Sequence, residues 1–105
     1  MDCLEVISVR LAREQDFDAA LQLCAVVSGP AEAGRFMGIR TYRSDGYGSD
    51  LVVHIRWSRG SSGHMKSLLG MQLARGLGGF GIVSHTLLTE TGMVPGGELS
   101  EEKKA

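Results

Sequence analysis

Between Leu4 and Leu11 apolar residues alternate with others, Ile7, Val9 and Leu11 on one side and Val6, Ser8 and Arg10 on the other. Period two marks a half-buried strand. From Glu14 to about Ser28 the period lengthens, with Phe17, Ala20, Leu21, Cys24 and Val27 at helical spacing. Glu14 and Asp16 stand near the start of that helix, where its dipole favours negative charge. Gly29-Pro30 ends it. Alternation returns over Phe36–Ser44 and again over Leu51–Trp57, separated by the turn-forming run Asp45–Asp50, which predicts a hairpin. After Gly60–Gly63, Met65, Leu68, Leu69, Leu73 and Leu77 line one side of a second helix, stopped by Gly76, Gly78, Gly79 and Gly81. Ile82–Glu90 is the fourth strand.

The order β-α-β-β-α-β predicts an α+β domain of ferredoxin-like topology, a four-stranded antiparallel sheet with both helices on one face. The helices are expected over Ile7, Val9 and Leu11 and over Leu51, Val53, Ile55 and Trp57. The opposite face then receives Val6, Ser8 and Arg10, then Val52, His54 and Arg56, and from the last strand Val83, His85 and Leu87. Two helices cannot cover both faces, and an open face with that many apolar residues implies an interface. The expected solution is a homodimer packed sheet to sheet, with His54, His85 and Arg56 lining the interior between subunits. A monomer with one solvated face is the alternative.

Composition changes the picture little. With 105 residues, the chain holds one core. Residues 1–91 form the expected domain and 92–105, rich in Gly and charge, a flexible tail. No apolar run approaches the roughly 20 residues of a membrane helix, and no signal sequence is visible, so a cytoplasmic protein without a membrane partner is expected. The net charge of −1 lacks the basic excess of a nucleic-acid binder. Two cysteines give no disulfide scaffold: Cys24 reads as buried in a helix stripe and Cys3 as accessible. No metal-ligand spacing is present, and the glycines from Gly76 to Gly81 follow a helix rather than open one, which excludes a phosphate loop.

Trp57, at the end of the third strand, offers a flat aromatic surface and one N–H donor, or simply fills the core. His64, at the start of helix two, titrates in the range needed to accept a phenolic proton, or is a solvated first-turn residue.

Met37-Gly38-Ile39-Arg40-Thr41-Tyr42-Arg43-Ser44 resembles the second-strand pattern of the antibiotic-biosynthesis-monooxygenase-like proteins. Leu51–Trp57 is similar to their third strand, and His64-Met65 to the His-hydrophobic pair of their second helix. The resemblance implies a dimeric α+β barrel with a pocket between sheet and helices in each subunit. It further implies cofactor-independent monooxygenation of a phenolic or quinol-type aromatic small molecule. Trp57 and His64 would be the catalytic pair, with Arg40, Tyr42 and Met65 lining the pocket and no cofactor or metal. The chain departs from the pattern in three ways. The family often has Glu two residues before the strand-three Trp, where this chain has Ile55; the spacing from Trp57 to His64 is about two residues shorter than the family's; and the chain contains no Asn, which the haem-degrading members use on the first strand and the cofactor-independent oxygenases commonly use on the third. The alternative is a non-catalytic barrel that binds a small ligand or serves a structural or interaction role.

Overall fold

A computed structural model describes residues 3–27, 36–46, 48–58 and 67–92. The strands are β1 (Cys3–Leu11), β2 (Phe36–Arg43), β3 (Asp50–Trp57) and β4 (Gly81–Thr89), and the helices α1 (Phe17–Val27) and α2 (Leu68–Leu77). All pairings are antiparallel, in the order β2-β3-β1-β4. This is the ferredoxin-like α+β arrangement, with β1 and β3 central.

The central strands are legible because each carries its apolar residues in a single phase. Ile7, Val9 and Leu11 of β1 and Leu51, Val53, Ile55 and Trp57 of β3 are all buried, against Phe17, Ala20 and Cys24 of α1 and Leu69, Leu73 and Leu77 of α2. Helix one starts later than its charge pattern suggests. Arg13 lacks a capping oxygen and instead pairs with Asp16 across a single 3₁₀ turn, Glu14–Asp16. Helix two is capped by Ser67, whose hydroxyl accepts a hydrogen bond from the Gly70 amide at 2.9 Å. It closes at Gly78, whose N–H bonds the Ala74 carbonyl.

The register corrects the assignment of β4. Ile7 is the Cα partner of His85, Val9 of Val83 and Glu5 of Leu87. Partners share a face, so Val83, His85 and Leu87 stand on the helix side, and Ile82, Ser84, Thr86 and Leu88 occupy the open face. Both phases of β4 carry apolar residues, Ile82 beside Val83 and Leu87 beside Leu88. Its own pattern therefore does not choose between them, and a one-residue shift exchanges the faces. His54 and Arg56 do lie on the open face, opposite Val6 and Leu4.

A second correction concerns β2. Phe36 pairs with Trp57 but Gly38 pairs with Arg56, so the register slips by one residue at Met37. Gly38 has φ +144°, a conformation that favours glycine and permits this bulge. An unbroken alternation from Phe36 would carry Arg40 and Tyr42 to the helix side. The bulge turns them to the open face, where Arg40 is the partner of His54 and Tyr42 of Val52. Arg43 faces the helices, its guanidinium 3.7 Å from the centre of the Phe17 ring, a cation–π contact tying β2 to α1. Cys3, expected to be accessible, is buried like Cys24; burial pushes the Cys24 thiol pKa up.

Candidate functional site

Glu5 lies two residues before Ile7, in phase with the buried side of β1, and its side chain has no solvent contact. An ionised carboxylate in such a place costs several kcal/mol unless donors meet its oxygens. Three elements supply them. From the end of β3, the Trp57 indole Nε1–H donates to Oε1 at 2.8 Å. Immediately before α2, the Ser67 hydroxyl donates to Oε1 at 2.5 Å and its backbone N–H to Oε2 at 3.0 Å. From β4, His85 Nε2 lies 2.9 Å from Oε2. Hydrogen bonds to a charged group contribute about 1.5–3 kcal/mol each, so four together are of the size needed to offset the desolvation. Burial raises the Glu5 pKa, but the bonds from Ser67, Trp57 and His85 outweigh it and hold the carboxyl below its ordinary value.

The helix sits directly on this cluster. A Cβ at Gly70 would stand 2.3 Å from Glu5 Oε2 and 2.8 Å from its carboxyl carbon. Only glycine admits the carboxylate under the first turn of α2. Ser67 thus serves twice, donating its hydroxyl hydrogen to Glu5 while its oxygen caps the helix. Trp57 is packed edge-on against Phe36, with ring centroids 5.5 Å apart at 69°. On the neighbouring strand, the Cα partner of Glu5 is Ile55.

Of the residues singled out from sequence, Trp57 and His85 are brought together, through Glu5. His64 and Met65 lie outside the described residues. Arg40 and Tyr42 are not in this cluster. With His54, Arg56, Leu4 and Met37 they line a cleft of about 340 Å³ on the open face of the sheet. There the Tyr42 and His54 rings lie 4.7 Å apart, centre to centre. Sequence reasoning missed Glu5 and Ser67. The signal for Glu5 was its position two residues before Ile7, in the buried phase of β1.

No family model and no curated protein matches the chain. Its fold is shared with solved structures. SnoaB, a cofactor-independent oxygenase from Streptomyces nogalater, superposes with a TM-score of 0.62 at 14% identity, over 90% of this chain and 97% of that one. Rv0793 from Mycobacterium tuberculosis gives 0.64 at 18% identity, over 90% and 99%. A candidate antibiotic biosynthesis monooxygenase from Bordetella bronchiseptica gives 0.59 at 16%, over 86% and 97%. The chain is therefore a ferredoxin-like α+β protein. More narrowly, its fold is that of the antibiotic-biosynthesis-monooxygenase-like proteins.

Glu5 sets a pH dependence of stability. Its folded pKa lies below the ordinary value of 4.5, so its contribution is fully present above that value. It is lost as pH falls, because the unfolded chain takes up the proton first, and it is gone below the depressed folded pKa. Glu5→Gln, which turns an amide donor toward donors, should cost about 3–5 kcal/mol at neutral pH. Denaturant unfolding of both proteins from pH 7 to pH 3 should show the gap between them narrowing on acidification. A constant gap contradicts the ionised cluster.

Proposed function

We propose that the protein is a cofactor-independent monooxygenase of a phenolic or quinol-type aromatic, working in the cytoplasm as a homodimer. The observation that carries this reading is the carboxylate, indole and imidazole gathered on the helix side of the sheet, in a fold shared with an oxygenase. Apolar side chains would fill that space at lower cost. In cofactor-free oxygenation the substrate first loses a proton, and its anion then reduces O₂. For an anthrone-type substrate a CH₂ group and O₂ become a carbonyl and water. The protein must therefore position an aromatic ring and receive a proton. Trp57 shapes the wall of the site, and His64 is kept as an orienting group.

One observation favours the rival reading, a non-catalytic barrel that binds a small ligand or a partner. The Trp57 N–H is committed to Glu5 and the residue is only 8% exposed, so the indole offers a ligand no donor.

The homodimer rests on the open face. Leu4, Val6 and Val52 are half-buried there, while Ile82, Leu88 and Tyr42 are 79%, 47% and 44% exposed. Such a patch is covered most simply by its own two-fold copy. None of the described helices is long and apolar enough to cross a membrane.

Oxygen consumption with hydroquinone- and anthrone-type substrates tests the chemistry. The expected result is substrate-dependent uptake without added flavin, haem or metal, reduced in His64→Ala; no uptake with any of them supports the rival. For the assembly, light scattering at micromolar concentration should give twice the chain mass of 11.2 kDa. Ile82→Asp should shift it to the single chain mass, and a wild-type monomer contradicts the sheet-to-sheet dimer.

A further inference from the structure

Within the buried cluster, hydrogen-bonding capacity is used very unevenly. Both Glu5 oxygens are met by two donors each. The Trp57 N–H and the Ser67 hydroxyl hydrogen are both spent on Glu5, and the Ser67 oxygen accepts from Gly70. None of these groups has a proton left for a ligand, and none is a base at neutral pH that could take one from it. His85 differs. Its Nε2 faces Glu5, whereas its Nδ1 has no hydrogen-bond partner among the described residues. No buried side-chain nitrogen or oxygen there lacks a partner, so the unbonded Nδ1 is an atom that still meets solvent, although the side chain is only 9% exposed.

We propose that His85, held by Glu5, is the proton acceptor of the site and takes the proton of an acidic aromatic hydroxyl at Nδ1. The assignment rests on the oxygenase reading above for its substrate class. A carboxylate on one imidazole nitrogen fixes the tautomer with hydrogen on Nε2, leaving the lone pair on Nδ1. In the step, the phenolic O–H bond breaks and an Nδ1–H bond forms. The substrate becomes a phenolate and His85 an imidazolium, whose charge Glu5 balances at 2.9 Å. Glu5 itself stays ionised and acts as a positioning residue. Its carboxyl lies below the ordinary range, which suits an orienting anion rather than a base. Glu5 is also the only titratable side chain that His85 bonds among the described residues.

Two readouts on the intact chain test this. Nitrogen-15 NMR of the His85 ring, recorded where the ring is neutral, should show hydrogen on Nε2 and a bare Nδ1; the opposite tautomer overturns the proposal. The second uses 4-nitrophenol at a pH where the free probe is protonated. Wild-type protein should bind it as the coloured phenolate. His85→Gln keeps an N–H for Glu5 but has no basic nitrogen, and should lower the phenolate signal at least about tenfold with an unchanged thermal midpoint. Absence of the phenolate band in wild type, or an equal band in His85→Gln, overturns the assignment. A band lost in His85→Gln without oxygen uptake by wild type leaves the proton acceptor in place and removes the oxygenase. Oxygen uptake with an equal band in the variant does the reverse.

Discussion

A carboxylate with no solvent contact must be met by donors on both oxygens, and Glu5 draws them from three separate elements. Trp57 closes β3, His85 sits in β4, and Ser67 opens α2. One side chain on a central strand therefore ties both of its neighbouring strands to the helix above them. The arrangement demands glycine at position 70, where the helix backbone lies against the carboxylate. It also gives Ser67 its double role as donor and cap. Leucines at 69, 73 and 77 drive α2 onto the sheet, but they are non-directional and tolerate rotation. The polar contacts fix which turn of the helix stands over which strand.

The same cluster gives the helix side of the sheet its chemical character. Apolar packing alone would make that side inert. With Glu5 ionised and His85 bound to it, the fold holds an imidazole of fixed orientation next to a buried negative charge, in otherwise apolar surroundings. That combination sets a fixed counter-charge 2.9 Å from the imidazole, with no solvent reorganisation needed to place it. The open face has a different character. Its apolar residues are interrupted by Arg40, His54 and Arg56 around the cleft beside the β2 bulge.

Much of this was legible in the sequence. β1 and β3 each carry one unbroken apolar phase, so their faces follow directly from period two. β4 does not, because Ile82/Val83 and Leu87/Leu88 place bulk in both phases, and only pairing with β1 decides between them. That hid the contact of His85 with the buried carboxylate. β2 misled for another reason: the bulge at Met37 reverses the side of everything after it, and the one trace of it in the sequence is Gly38 inside a strand. Glu5 was overlooked because a charge near a strand end ordinarily faces water. Ser67 was hidden among Ser61, Ser62 and Gly63, any of which can precede a helix.

The cluster stands or falls on Glu5 being a buried anion held by its donors. Its side-chain carboxyl carbon, followed by carbon-13 NMR as pH is lowered on the folded protein, reports this directly. The expected midpoint lies below the ordinary value of 4.5, with the His85 ring signals shifting in the same step. A midpoint at or above 4.5 would mean that the four donors do not hold the charge, and would contradict a buried, ionised Glu5.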